Sequence, residues 1–151
     1  MKNEEIIKSL RINHIFSVFA ILLTIAAFET GVLQKEALGK LLSATWTYTL
    51  QVATIMLTVL LIPYAIKSFT KKLENNTAND SEERKKIFIK KSMQRIVILF
   101  AVVLLNTFTY YGIGYEGALY CGIAGLGALV YSFPTKSVLE NYLEKENTPK
   151  R

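Results

Sequence analysis

Few residues of this 151-residue chain could do chemistry in the apolar setting that surrounds them. Glu29 and Glu116 are the acids nearest its long apolar runs, and Asn106 and the tyrosines at 110, 111 and 115 lie between them in sequence. A desolvated carboxylate has a raised pKa and carries a proton near neutral pH, so Glu29 and Glu116 are candidate ionisable groups of an outward-facing proton or cation site. Each also has a plainer use. Glu29 can sit among lipid headgroups, and Glu116 can open a helix, where the macrodipole favours an acid.

The neutral polar residues are patterned. Thr47, Gln51, Thr54 and Thr58 recur at intervals of four, three and four, which places them on one helical stripe. Asn13, Ser17, Ala20, Thr24 and Ala27 repeat this on an earlier segment, and Asn106 and Tyr110 share a face on a later one. Three such stripes meeting in a bundle make a hydrogen-bonded interior. As a candidate polar path, Thr47, Gln51, Thr54, Thr58 and Asn106 would hydrate a pocket or channel. As helix glue, each contact would contribute about 0.6 kcal/mol, and glue is the favoured reading.

Catalytic chemistry is not encoded in any recognisable way. The single Cys121 and single His14 leave no CxxC, no zinc spacing, no disulfide and no pair of histidines for a haem. No GxSxG, HExxH, P-loop or dinucleotide fingerprint occurs. The run GIGYEG, 112–117, follows no strand and lacks the Lys-Ser/Thr of a phosphate loop. The expectation is a non-enzyme with no metal and no cofactor.

The elements that must position these residues are apolar blocks separated by charge. Hydrophobic residues make up 51% of the chain and are concentrated in four stretches, about 12–28, 45–66, 94–111 and 117–133. Blocks approaching ~20 residues match the ~30 Å hydrocarbon core of a bilayer. The chain also has the features of a signal peptide at its start, but Glu4 and Glu5 dilute the basic region and no A-x-A site follows, so an uncleaved span is expected.

Charge gives the orientation. Of the 18 Lys and Arg, 16 lie before the first block, between the second and third with Arg95 at the third's edge, or after the fourth; Lys35 and Lys40 are the exceptions. This is the positive-inside pattern, and it puts both termini and the 67–93 loop in the cytoplasm. It also accounts for the net charge of +6 without nucleic acid as a partner. Lys85, Lys86, Lys90 and Lys91 are candidate contacts for anionic lipid, at about 1 kcal/mol per charge near a surface.

The connecting segments carry their own signals. Val32, Leu33, Ala37, Leu38, Leu41 and Leu42 suggest a short helix lying in the outer interface, with Trp46 and Tyr48 marking the headgroup level. Asp80 with Glu83, and Ser137 with Glu140, have capping-box spacing. Val138, Leu139, Tyr142 and Leu143 would form the apolar face of a short helix beyond Pro134.

Six of the eight glycines fall between residues 110 and 134. Gly117, Cys121, Gly125, Ala128 and Ser132, with Ala118 and Gly122 alongside, make a small-residue face that lets helices approach closely. Leu119, Ile123, Leu126, Val130 and Phe133 form the bulky opposite side. The fourth block is therefore expected to be the helix against which the others pack.

The expected protein is an all-α, four-transmembrane-helix bundle, one integral domain over 1–151 with short interfacial amphipathic helices and a cytoplasmic tail, 134–151. Its place would be the cytoplasmic (inner) membrane, with the lipid bilayer as its constant partner. Its role would be that of an accessory, assembly or interaction protein that contacts another membrane protein or a second copy of itself. A small oligomeric transporter or channel is the alternative.

Overall fold

A computed structural model describes residues 3–74 and 81–144. Within them the chain forms α1 (Asn3–Glu29), α2 (Ala37–Leu41), α3 (Ala44–Glu74), α4 (Ser81–Ile113), α5 (Glu116–Tyr131) and α6 (Lys136–Glu144), and no strand. α1, α3 and α4 are long and apolar enough to cross a membrane, and a fourth crossing results if α5 and α6, bent by 60° at their junction, count as one. That bend falls where Pro134 removes a backbone donor and biases Phe133 away from helix.

Each long helix continues well past its apolar block. α1 starts nine residues before Ile12 because Ile6, Ile7, Leu10 and His14 continue one buried stripe at helical spacing. α4 runs unbroken from the charged SEERKK segment into the apolar run, as expected. Asp80 and the rest of 75–80, and with them the first of the expected capping boxes, lie outside the described residues.

The hub of the bundle is α4, which touches every other helix. Of its most apolar stretch 44% is buried, against 17% for α1 and for α3. This corrects the expectation that the fourth block is central. α5 does pack against α4 and α3, but it is a flank. The reason is the composition of α4, whose Ile96, Leu99, Val102, Val103, Asn106 and Thr107 are buried on more than one face. The buried residues of α5 lie on one side only, with Ala124 and Gly127 exposed.

Two clusters make up the core. One joins Ile21 of α1, Ala65 of α3, Ile96, Leu99 and Val103 of α4 and Leu129 of α5 in the apolar middle. The other lies at the end of the bundle where α6 sits: Ile6, Ile7, Leu10, Phe69, Phe88 and Leu139, flanked by Ile89, Met93, Tyr142 and Leu143. This second core is built from residues outside the four apolar blocks. α6 supplies Leu139, Tyr142 and Leu143 to it, while Val138 stays 41% exposed. Because α6 begins at Lys136, Ser137 is inside the helix and is not its cap.

The opposite end is closed by α2. Glu36 adopts a left-handed φ of 58°, and its N–H donates to the Tyr111 carbonyl at 2.7 Å. Leu38 seats on Gly112, where an added Cβ would meet Leu38 Cδ1 at 2.8 Å. The expected interfacial helix is thus docked through Leu38, while Val32 and Leu41 stay 78% and 82% exposed and share no buried face with it.

Candidate functional site

Three polar groupings lie along the helices, one at each end and one in the apolar middle. At the α2 end, Glu29 is the last residue of α1, just beyond the apolar block. It accepts hydrogen bonds from Lys35 Nζ at 2.8 Å and from the Tyr111 hydroxyl at 2.7 Å. Tyr111 stacks on Phe28 with ring centroids 4.7 Å apart, which fixes its hydroxyl beside the acid. The Lys35 hydrogen bond first, and that of Tyr111 second, hold the Glu29 carboxyl below its ordinary value.

The expectation of a desolvated, proton-carrying Glu29 is therefore corrected. Its side chain is 55% exposed and paired with Lys35. Glu116 is exposed in the first turn of α5, and Asn106 is bonded inside the bundle, so the expected grouping of Glu29, Glu116 and Asn106 is not assembled. Among the described residues, no three His, Cys, Asp or Glu come together as a metal would need.

In the apolar middle, α3 and α4 bring two of the three stripes together. Asn106 is fully buried and its Nδ2 donates to Thr58 Oγ1 at 2.8 Å and to its own helix at the Val102 carbonyl, also 2.8 Å. Thr54 and Thr109 share a hydroxyl–hydroxyl bond of 3.2 Å one turn away. Thr58 also donates to the Thr54 carbonyl at 2.8 Å, so the ladder is continuous. Thr54 and Thr58 are only 2% and 3% exposed. Gln51 is half-buried beyond them, and half-buried Thr47 donates to the Ser43 carbonyl at 3.1 Å.

The stripe of α1 does not join them. Ser17 and Thr24 turn back to their own helix, donating to the Asn13 and Ala20 carbonyls, each at 2.9 Å. α1 leans on α4 instead of α3, which keeps the two stripes apart.

The small face of α5 is rotated from the expected one. Ala118, Gly122, Gly125 and Leu129 are its buried residues, with Ser132 following, while Gly117, Cys121 and Ala128 are half-buried at the margin. The partner is α4 of the same chain: Gly125 faces Val103 and Val102, and Gly122 faces Asn106. Tyr120 and Tyr131, 69% and 77% exposed, leave Gly127 between them with no neighbour within 4 Å.

The third grouping, at the α6 end, was not anticipated. Arg95 of α4 donates from Nη2 to the Ser132 carbonyl at 2.8 Å, and Arg11 of α1 donates from Nε to the Pro134 carbonyl at 3.2 Å. Two guanidiniums thus satisfy carbonyls that the end of α5 leaves without intrahelical partners. Arg95 lies over the Phe69 ring at 4.0 Å, and Arg11 over Phe133 at 5.4 Å. His14 packs edge-on to Phe133 at 5.2 Å and is 3% exposed. His14 is one turn along the Leu10 stripe and so faces the bundle.

Within this grouping His14 Nδ1, Ser92 Oγ, Arg95 Nε and Ser132 Oγ are buried without a hydrogen-bond partner. The signal in the sequence was Arg95 standing one residue before an apolar run, with no acid near it in the chain.

The four candidate lysines lie along the first turns of α4. Lys85 pairs with Glu82 at 3.0 Å, Lys86 and Lys90 are exposed, and Lys91 is half-buried and donates to Gln94 Oε1 at 2.7 Å. Lys91, Gln94, Arg95 and Ile98 of α4, with Ala65, Ser68 and Phe69 of α3, line a shallow groove between the two helices. No protein-family model, curated protein or solved structure matches this chain.

Proposed function

We propose that the chain is a small polytopic protein of a bacterial cytoplasmic membrane that works as an accessory, assembly or interaction protein and not as a catalyst or a conduit. α5, of 16 residues, is about 24 Å long at 1.5 Å per residue, short of a ~30 Å core. Yet the Arg95–Ser132 contact places its end level with the start of α4's apolar run, and Gly114, at φ 77°, turns the chain back at the other. That pairing supports four crossings, α5 being completed by the residues up to the bend. The charge distribution supports both termini and the 67–93 loop on the cytoplasmic side.

The observation that carries the interaction reading is the Thr54–Thr58–Asn106–Thr109 ladder. A path for ions or solutes needs polar groups that face a space; these face one another at hydrogen-bond distance and are almost wholly buried. Helix glue accounts for them. Purified chain in liposomes is expected to add no flux of protons, potassium or small cations over empty vesicles, and cross-linking in native membranes is expected to trap a stoichiometric membrane-protein partner. Flux that Gln51→Leu removes would overturn this reading.

One observation favours the transporter reading. Asn106 Oδ1, fully buried, accepts no hydrogen bond, which is the kind of acceptor that a passing cation or water would use. The same flux assay with Asn106→Leu decides it.

A further inference from the structure

We propose that the groove between α3 and α4 at the α6 end holds a phosphate group presented by the headgroup of an anionic lipid, with Arg95 as its principal ligand. The inference rests on the membrane reading above and goes beyond it by assigning a site.

Arg95 is the odd charge in the molecule. It sits at the start of an apolar run, is half-buried, and among the described residues no carboxylate pairs with it. A buried cation without an anion is costly, and the one neutral carbonyl it meets, that of Ser132, does not balance a full charge. Its Nε–H has no acceptor. The Phe69 ring under the guanidinium fixes its plane and leaves the charge in place. An anion would balance that charge and accept from Nε–H.

The groove says which anion. Its polar lining, Ser68, Lys91, Gln94 and Arg95, can donate hydrogen bonds and contains no acid. The groove is shallow, with room for about one water-sized group, so a phosphate would enter it by one oxygen and stay at the mouth. Ala65 and Ile98 continue the same groove towards the apolar middle, where Ile62 and Ile98 pack on the core. A lipid suits that layout, with the charged head at the arginine and the acyl chain along the helices. A free phosphate would use the first part alone. Arg is the side chain best matched to phosphate oxygens, through paired N–H donors on a planar fork.

The test uses the full chain in detergent and follows its thermal midpoint against added dioctanoyl phosphatidylglycerol, dioctanoyl phosphatidylcholine or inorganic phosphate. The anionic lipid is expected to raise the midpoint saturably at one site per chain, with little effect from the other two. Arg95→Gln and, independently, Ser68→Leu, which fills the groove and leaves the charge, should each weaken that binding about tenfold, the scale of one charge-assisted contact. Exposed Lys40, in α2 at the opposite end of the bundle, should be replaceable by Gln without loss.

Equal response to the zwitterionic lipid, a matching response to phosphate alone, or wild-type affinity in Ser68→Leu would overturn the proposal. If Arg95→Gln does not fold, Ser68→Leu still decides. The membrane reading is tested apart from this: a chain released from membranes by alkaline carbonate refutes that reading whatever the lipids do.

Discussion

Gly125, Gly122 and Gly127 lie on one helix within six residues, but their surroundings differ enough to separate them by substitution. A Cβ on Gly125 would lie 2.9 Å from Val103 Cγ2, one on Gly122 would lie 3.5 Å from Asn106 Cβ, and one on Gly127 would meet nothing within 4 Å. Carbon atoms attract best at about 3.5–4.0 Å, so the first is a clash, the second an ordinary contact and the third neutral. Val103 cannot swing away cheaply, because a β-branched side chain in a helix has one strongly preferred rotamer and this one is 1% exposed. Replacing glycine by alanine inside a helix gains about 1 kcal/mol, whereas overpacking costs about 1–3 kcal/mol.

Gly127→Ala and Gly122→Ala should therefore raise stability by up to about 1 kcal/mol, and Gly125→Ala should lower it by up to about 2 kcal/mol. Reversible unfolding in mixed micelles measures all three, and Val103→Ala in the Gly125→Ala background should recover part of the loss by making room. Gly122→Leu and Gly125→Leu should both do more damage than Leu126→Ala. Gly125→Ala as stable as Gly122→Ala would refute the reasoning, since the two differ only in the distance to α4.

Three further outcomes follow from the packing. Thr58→Val should cost only about 0.6 kcal/mol, because Asn106 Nδ2 keeps the Val102 carbonyl; a double-mutant cycle with Asn106→Leu reads the coupling between the two helices directly. Phe88→Ala should cost about 3–5 kcal/mol, more than any apolar truncation on the exposed faces, as equilibrium unfolding would show; Phe88 is 1% exposed, meets Phe69 edge-on and stacks with Tyr142 in the α6-end core. At Glu29 the folded-state pKa is depressed below 4.5, so its contribution is complete above that value and fades as pH falls through the lower folded value. Glu29→Gln should remove that acid-side fading from a plot of thermal midpoint against pH and change little at neutral pH, as suits an exposed pair.

The sequence alone determined the helical class and the apolar runs around which the long helices are built. A run of about twenty apolar residues bounded by charge admits few other structures, and Pro134 and Gly114 stand where the chain turns between helices, although Pro63 is carried inside α3. It also determined that Thr54 and Thr58 share a stripe, since helical periodicity is local. Which stripes meet was decided by tertiary structure. The first-block stripe looked equivalent to the second, yet α1 lies on α4 and its hydroxyls bond to their own backbone.

The buried face of α5 turned from Gly117 and Cys121 to Ala118 and Gly122 for the same kind of reason: a face of small residues is broad, and only the shape of Val102, Val103 and Asn106 selects its centre line. Glu29 changed from a candidate proton carrier to one half of an exposed pair because Lys35 and Tyr111, six and eighty-two residues away, reach it only once the 30–36 turn is formed. The second core and the Arg95 groove were invisible for the reason that makes them interesting. Both are made where helices extend past their apolar blocks, and there hydropathy reports only charge, while the contacts that bury Ile6, Phe88 and Arg95 come from four separate helices.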